Sequence, residues 1–463
     1  MELRIDRQAL VPVVQQIVDA LAGWIRQDAV QPGTRLPSIR QLARDNLLSQ
    51  SSVSEACERL VAQGILASRH GSSFFVAPPA LARCTPGDWP DDASLTQAGL
   101  VDDARWELHL GCGGLPERWR ESDDLGYAIR QVTRTDMAGL FNYSTLLGLP
   151  ALREQLSRRL KQLNINAGAD RILTTTGATH GLDLIVRTLL RPGCCVVVES
   201  PGYPSLFELL RLHRIDMIEL PRTPRGPDVE ALQALLASHR PSALFINSAC
   251  HNPTGSSLAP AVAQQLLQLA KKHALLVVED DVYADFQGAT RTRLAALDAD
   301  VLYVGSFSKT LSSSLRVGFV AAGPGVVERL SAVKGITSMG GSRFCESVVA
   351  SLLANGAYRK LAQRQRQRLG VDMAAVLQVL EDADWTVFGK PAGGLFIWAR
   401  PPRCDHAGLQ RLAKRFGVLL SSRTAFSPSG TESDWLRINV AYARDPRALA
   451  FFRASALDRP QVF

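Results

Sequence analysis

A lysine framed by small hydroxyl residues is the first candidate for covalent chemistry in this chain. Lys309 follows an apolar run at 301–305, with Ser306 and Ser308 just before it and Arg316 seven residues after it. A lysine amine can attack an aldehyde, while hydroxyl groups and a guanidinium can hold a phosphate dianion. A lone lysine is more often a solvated surface charge, but this framing favours an imine between Lys309 and pyridoxal phosphate.

A second candidate anion site lies upstream, in the sequence TTTGATHGLDL at 174–184. The pattern predicts a strand, a glycine-containing turn and the start of a helix. Backbone amides at a helix N-terminus attract anions because their N–H groups have no partner within the helix. We therefore expect the amides around Gly177, Ala178 and Thr179 to bind the same phosphate group.

These two motifs belong to a long region in which β-rich runs alternate with helical segments. The predicted strands lie at 172–176, 196–199, 244–247, 275–279, 301–305 and 317–321. This alternation is typical of an open, largely parallel α/β sheet with helices on its faces. From about residue 357 to the end, helices with brief strands around 394–399 and 436–440 predict a smaller α+β subdomain.

The N-terminal 77 residues have a different organisation. Apolar positions at spacings of three and four predict three helices, and two short apolar stretches predict a hairpin. The helices cover 11–26, 38–44 and 52–63, and the hairpin strands cover 65–67 and 74–76. Ser38 and Gln41 are spaced to cap the second helix. Because residues 78–104 are rich in Pro and Gly and poor in large apolar residues, we expect a linker there. The predicted parts are therefore a domain at 1–77, a linker at 78–104, and a body at 105–463 made of a large part at 105–356 and a small subdomain at 357–463.

Composition excludes several classes of protein. With 46% hydrophobic residues the chain can bury large cores, which argues against a disordered or fibrous protein. The net charge of +8 favours a polyanionic partner without distinguishing nucleic acid from a phosphorylated ligand. The cysteines include no C-x-x-C pair, so we expect neither a metal site nor a secreted disulfide framework. No apolar run approaches the roughly 18 to 20 residues that cross a bilayer, and the N-terminus lacks the apolar core of a signal peptide. We therefore expect no membrane association and a cytoplasmic location.

Two segments of the N-terminal domain carry a family resemblance: QPGTRLPSIRQLA at 31–43 and SSVSEACERLVAQGILASRHGSSFFV at 51–76. Both are similar to the winged helix-turn-helix of the GntR family of bacterial regulators. The resemblance implies double-stranded operator DNA as a partner, with the third helix in the major groove and the hairpin at the adjacent groove or backbone. The implied DNA-binding residues are Arg35, Arg40, Ser51, Ser52, Ser54, Arg69 and His70. The alternative is a small helical domain used only for packing.

The motifs SPGYP, HNPTG, VVEDDVY, GSFSKT and WLRINV follow one another in the body of the chain. In this order they resemble fold-type I aminotransferases of class I/II, and the similarity spans about residues 107–455. It implies that Lys309 binds the cofactor, that Asp280 faces the pyridine nitrogen and that Arg437 grips an α-carboxylate. The other implied contacts are Asn252 and Tyr283 at the ring oxygen, Tyr203 on the ring face, and Tyr143 at a phosphate across a subunit interface. Taken singly, each of these residues has a structural alternative, such as a cap, a core aromatic or a surface ion pair.

A GntR-type reader joined to an aminotransferase-like body resembles the MocR subfamily of transcriptional regulators. That resemblance implies that an amino compound or a B6 vitamer is sensed by exchange at the Lys309 aldimine while Arg437 holds a carboxylate. It also implies a homodimer arranged head to tail. An active aminotransferase with an accessory DNA-binding domain stays open, because no expected residue of the site is missing. A third alternative is a body that binds free pyridoxal phosphate as its own effector.

Overall fold

The chain forms two units, Met1–Asp92 and Ala93–Phe463. The computed structural model describes residues 3, 5, 11–27, 30, 33–63, 65–69, 73–77, 108–120, 123–287, 292–391, 393–402 and 405–457. The predicted linker at 78–104 lies outside these residues. Within the described ranges, no helix combines the length and the apolar character needed to cross a membrane.

The N-terminal unit contains the three predicted helices and the predicted hairpin. They are α1 (Val13–Gln27), α2 (Ile39–Asp45), α3 (Gln50–Ala62) and the antiparallel strands β1 (Leu66–Arg69) and β2 (Ser73–Val76). Ile17 and Leu21 of α1 and Val53 and Leu60 of α3 are fully buried in the core of this unit. Their spacings of four and seven place the apolar side chains on one face of each helix, which explains why α1 and α3 pack together.

Serine side chains cap the N-termini of α2 and α3. The Ser38 hydroxyl accepts a hydrogen bond from the Gln41 amide at 3.2 Å at the start of α2. The Ser49 hydroxyl accepts one from the Ser52 amide at 3.0 Å. Because Ser49 provides this cap, α3 begins at Gln50, two residues earlier than the sequence pattern predicts.

A mixed eight-stranded sheet forms the centre of the second unit. Its strands are β3 (Ile172–Thr175), β4 (Cys195–Ser200), β5 (Asp216–Thr223), β6 (Gly226–Pro227), β7 (Ala243–Ile246), β8 (Leu276–Asp280), β9 (Leu302–Ser306) and β10 (Gly318–Ala321). The strand order is β3-β10-β9-β8-β7-β4-β5-β6. Neighbours from β9 to β5 are parallel, whereas β10 is antiparallel to both β3 and β9 and β6 is antiparallel to β5. All six predicted strands occur, and the sequence patterns missed β5 and β6.

Helices cover the sheet and bury its apolar strands from both faces, as in other parallel sheets. They are α4 (Asp123–Thr135), α5 (Pro150–Gln162), α6 (Gly177–Leu189), α7 (Pro204–Leu212), α8 (Val229–Ser238), α9 (Pro260–Lys272), α10 (Leu294–Leu297), α11 (Pro324–Ser338) and α12 (Arg343–Ala354). Every residue of β3, β7, β9 and β10 is buried, which explains the nearly continuous apolar character of these strands.

A smaller subdomain follows the sheet. It contains α13 (Ala357–Asp382), α14 (His406–Arg415), α15 (Val440–Ala443), α16 (Pro446–Leu457) and an antiparallel sheet of β11 (Thr386–Val387), β12 (Phe396–Arg400) and β13 (Leu436–Asn439). Leu108, Leu110 and Trp119 are buried in the same hydrophobic core as α13 and α16. The segment 108–120, which the sequence-based division assigns to the large part, therefore packs into the core of the small subdomain.

Candidate functional site

The predicted site residues of the body converge where the parallel strands end. Lys309 follows β9, Asp280 ends β8, and Gly177 follows β3. Because parallel strands present their carboxyl ends at one edge of a sheet, these residues meet beside two cavities of about 180 Å³ and about 480 Å³. We call them the first and second cavity. Gly114, Tyr203, Asn252, Tyr283 and Lys309 line both cavities.

Lys309 has a desolvated amine. Its Nζ donates a hydrogen bond to the carbonyl oxygen of Gly113 at 2.9 Å. Burial lowers the pKa of Lys309 to about 8, and the nearby charge of Arg437 acts in the same direction. A larger fraction of this amine is therefore neutral near pH 8 than for an ordinary lysine. A neutral amine is the form that attacks an aldehyde.

Asp280 lines the first cavity, whereas its neighbour Asp281 is held elsewhere. Burial raises the pKa of Asp280 to about 7. The Asp281 carboxylate accepts hydrogen bonds from Arg293 Nε at 2.6 Å and from the Tyr303 hydroxyl at 2.9 Å, both in the protein interior. Asp280 is therefore the acid available to a ligand in the cavity, and a protonated ring nitrogen would stabilise its ionised form.

The residues predicted to bind phosphate form a concave site at the first cavity. Gly177 begins α6 with a φ of +78°, and a Cβ atom there would collide with the Arg316 guanidinium. Arg316 Nη1 donates to the Ser308 hydroxyl at 3.3 Å, and the Ser306 hydroxyl accepts from the Ser308 amide at 3.1 Å. Ala178 and Thr179 also line this cavity. Amides, hydroxyls and a guanidinium around a space that only glycine leaves open suit a phosphate group.

Asn252, Tyr283 and Tyr203 line the cavity walls between these groups. Asn252 Oδ1 accepts a hydrogen bond from Arg437 Nη1 at 2.8 Å. Tyr283 is buried, with its ring edge-on to Phe396 at a centroid distance of 5.3 Å, and burial raises the pKa of its hydroxyl. Tyr203 is half-buried. The aromatic faces and polar tips fit a flat heteroaromatic ring such as that of pyridoxal phosphate.

Arg437 is fixed in the wall of the second cavity. Its guanidinium lies between the rings of Phe396 and Phe426, with its central carbon 4.8 Å from each ring centroid. Nε and Nη2 donate to the Gly111 carbonyl at 3.1 and 2.7 Å. Burial lowers the pKa of Arg437, although an arginine in a protein stays protonated. A preorganised planar cation in a cavity wall suits a carboxylate.

Tyr143 is the one predicted residue of the body that lies away from both cavities. Its side chain is 77% exposed. The side chains of Phe141 and Ile336 are also strongly exposed, at 85% and 84%. The described walls of the two cavities do not include Tyr143.

The predicted DNA-binding residues have different surroundings. Arg35, Arg40 and Ser51 are exposed, whereas Ser52 and Ser54 are half-buried. The Ser52 hydroxyl lies 2.7 Å from the Ser49 hydroxyl in the cap of α3, and Ser54 donates to Glu58 at 3.3 Å. The side chain of Arg69 and the whole of His70 lie outside the described residues.

Sequence patterns missed a buried polar network beneath the cavities. Asn247 donates from its side chain to the Asp280 carbonyl at 2.6 Å and accepts from the Asn252 amide at 2.8 Å. The Glu199 carboxylate accepts from the Asn247 amide at 2.7 Å and pairs with Arg222. Asn247 and Glu199 are the polar last residues of two predicted strands, and that position was the signal that could have identified them.

Burial and neighbouring charges determine the protonation states in this network. Burial alone would raise the pKa of Glu199, but Arg222 and His251 lower it to about 2. Burial, assisted by Arg222, lowers the pKa of His251 to about 4. The network therefore contains an ionised Glu199, a charged Arg222 and a neutral His251 at neutral pH. It holds Asn247, which in turn fixes the backbone at Asp280 and Asn252.

Each of the two units matches a known protein family. The family described as "Aminotransferase class I and II" matches residues 110–448, and "Bacterial regulatory proteins, gntR family" matches residues 13–76. The HTH-type transcriptional regulator YisV of Bacillus subtilis is 28% identical over 95% of this chain and 94% of its own length. A 2-aminoadipate transaminase of Thermus thermophilus is 29% identical over 71% of this chain and 84% of its own length.

A solved structure supports the fold of the body. The crystal structure of LysN, an α-aminoadipate aminotransferase from Thermus thermophilus, was determined in complex with N-(5'-phosphopyridoxyl)-L-leucine. It matches with a TM-score of 0.68 and 27% identity, covering 76% of this chain and 92% of LysN. The cofactor of this fold is pyridoxal phosphate, which the donor groups around Lys309 fit. The chain belongs to the aminotransferase class I and II family and carries an N-terminal GntR domain, which is the organisation of the MocR subfamily of regulators.

Proposed function

We propose that this chain is a pyridoxal phosphate-dependent transcriptional regulator that binds DNA and senses an amino compound or a B6 vitamer at Lys309. The observation that carries the proposal is that Lys309 and Arg437 line one cavity in a chain that also has a GntR domain. The relative YisV, matched over nearly its whole length, is named as a transcriptional regulator. Because such a regulator must reach DNA, we also propose that it acts in the cytoplasm.

Each residue has a defined task in this proposal. The cofactor supplies an aldehyde that links reversibly to an amine. Lys309 provides that amine in the resting protein and gives way to the amino group of the effector. Asp280 keeps the ring nitrogen protonated, Arg316 and the amides at Gly177 hold the phosphate, and Arg437 orients the carboxylate of the effector.

The exposed position of Tyr143 supports a homodimer. Phe141, Tyr143 and Ile336 are exposed aromatic or apolar side chains, which a second copy of the chain would cover. We propose a head-to-tail dimer in which the DNA reader of one chain rests on the body of the other, and in which Tyr143 reaches the phosphate of the partner's cofactor. Mixing Lys309→Ala chains with Tyr143→Ala chains should restore one intact site per hybrid dimer. Cofactor retention no better than in either parent would contradict the role of Tyr143 across the interface.

A second candidate function is an active aminotransferase with an accessory DNA-binding domain. The specific observation in its favour is that Lys309, Asp280 and Arg437 each line at least one of the two cavities, so the expected lysine, acid and carboxylate-binding arginine are all present. The relative named as a 2-aminoadipate transaminase covers the same body. A body that responds to pyridoxal phosphate alone is the third possibility.

One experiment separates these functions. The protein, with and without bound cofactor, is incubated with a panel of amino acids in the presence and absence of a keto-acid acceptor. Both product formation and binding to selected genomic fragments are measured. We expect amino acids that change the cofactor absorbance to change DNA affinity as well, without sustained turnover. Many turnovers of one pair would instead establish the aminotransferase, and a DNA response to the cofactor alone would establish the third function.

A further inference from the structure

Arg120 lines the first cavity and was not among the residues expected to bind a ligand. It directly follows a short 3₁₀ helix, Glu117–Trp119. Trp119 is buried in the core of the small subdomain, and the Arg368 guanidinium lies 4.0 Å from its ring centroid. Arg118 donates to the Ala441 carbonyl at 3.3 Å. The backbone that carries Arg120 is therefore anchored to the protein by the two residues before it.

The Arg120 side chain is exposed, and it makes no hydrogen bond or ion pair with any residue that the structure describes. The described walls of the two cavities contain four lysine or arginine side chains, namely Arg120, Lys309, Arg316 and Arg437, and Asp280 as the one carboxylate. Such an excess of positive charge favours anionic ligands.

The proposed function accounts for every one of these cations except Arg120. Arg316 serves the phosphate, Lys309 takes part in the covalent link, and Arg437 holds the α-carboxylate. Arg437 lines the second cavity, Arg120 lines the first, and Lys309 lines both. For a ligand whose amino group lies at Lys309, the second cavity therefore provides the guanidinium of Arg437 and the first cavity provides that of Arg120.

We propose that Arg120 binds a second anionic group, at the end of the side chain of the effector. The effector class is then an amino acid with an acidic side chain, such as an α-amino dicarboxylic acid. This inference rests on the proposed function, because it assigns the ligand class of the same site. Arg120 sets specificity in this scheme and takes no part in the covalent link.

The test compares two ligands that differ only at the distal group. L-2-aminoadipate ends in a carboxylate, and L-norleucine ends in a methyl group on a chain of similar length. Spectrophotometric titration of the cofactor-loaded full chain gives an apparent Kd for each. We expect Arg120→Gln to raise the Kd of aminoadipate about tenfold, since a hydrogen bond to a charged group is lost, and to leave that of norleucine unchanged. Arg120→Lys should recover part of the loss.

A matched control comes from α4. Arg134→Gln removes an exposed guanidinium that lines neither cavity, and it should leave both Kd values unchanged. Equal effects of Arg120→Gln on the two ligands, or equal Kd values in the unaltered protein, would overturn the inference alone. Weaker retention of the cofactor by Arg120→Gln would also overturn it, because Arg120 would then belong to the phosphate site. Absence of any spectral change with every amino acid would overturn the proposed function together with this inference.

Discussion

At the scale of single residues, the central feature is the depressed pKa of Lys309. Its amine is desolvated beside Arg437, so the pKa falls to about 8 from the ordinary 10.5. Protonation makes the amine cationic and unreactive, so lowering the pH below 8 removes the reactive form and raising the pH restores it.

We therefore predict the pH dependence of cofactor uptake. The rate at which the cofactor-free chain takes up pyridoxal phosphate should rise roughly tenfold per pH unit below pH 8 and level off above it, following the neutral amine. Stopped-flow absorbance measures this rate. Arg437→Met should move the midpoint to higher pH by removing a nearby positive charge. A midpoint near 10.5 in the unaltered protein would refute this interpretation of Lys309.

A second residue-scale prediction concerns the planar fork of Arg437. Arg437→Met should weaken the apparent affinity for norleucine about tenfold or more, because a charge-assisted, two-pronged contact is lost. The affinity for pentylamine, which is norleucine without its carboxylate, should stay the same. Arg437→Lys should not restore norleucine binding, because an ammonium cannot form the fork. If both ligands weakened equally, the effect would come from packing against Phe396 and Phe426 instead.

At the scale of elements, α13 holds the segment that carries Lys309. Gln365 of α13 donates from its side chain to the Thr310 carbonyl at 2.9 Å. The Thr310 hydroxyl donates to Asp285 at 3.3 Å, and Tyr358 of α13 donates to the same carboxylate. Since all four residues are buried, α13 and the Lys309 segment form one connected structure.

Removing this connection should be measurable. Gln365→Leu leaves the Thr310 carbonyl without its donor, and we expect a loss of about 1–3 kcal/mol in the free energy of unfolding together with weaker cofactor retention. Urea unfolding followed by fluorescence measures the first effect. Gln378→Leu, on the exposed face of the same helix, is the control and should change little. Equal losses in the two variants would show that the Gln365 contact has no special role.

The strands of the central sheet show which parts of the fold could be predicted from the sequence. Strands such as β7 and β9 are buried on both faces, so their apolar runs identified them, and functional residues at their ends could be expected to meet. β5 was missed because its residues are partly exposed and include Pro221 and Arg222. The hydrophobic periodicity of the sequence does not predict that β10 lies antiparallel between β3 and β9. Likewise, the packing of Arg437 between two aromatic rings depends on contacts distant in sequence.

At the scale of the whole molecule, one chain combines a ligand site with a DNA reader. Residues 1–77 contain eight Arg, no Lys and seven Asp or Glu, a net charge of +1. DNA binding should therefore depend on a few phosphate contacts rather than on a broad basic surface. We expect Arg40→Ala and Arg69→Ala each to weaken DNA binding and to lower the salt slope of log K by about one unit.

The matched control for that prediction is Arg453→Ala, an exposed arginine of α16 in the other unit. Its affinity and salt slope should equal those of the unaltered protein. Fluorescence anisotropy at several salt concentrations gives both quantities. Unchanged slopes for the variants at positions 40 and 69 would remove these arginines from the DNA interface.

The proposed regulator depends on one lysine that carries the cofactor. Borohydride reduces an imine to a stable amine, so peptide mapping after reduction identifies the linked residue. The informative competitor is Lys334, which is fully buried and whose pKa burial also lowers to about 8, but whose amine is held by the Leu146 carbonyl away from both cavities. We predict a pyridoxyl label on Lys309, kept in Lys334→Met and lost in Lys309→Ala. A label on Lys334 or any other lysine, or no label, would contradict this assignment.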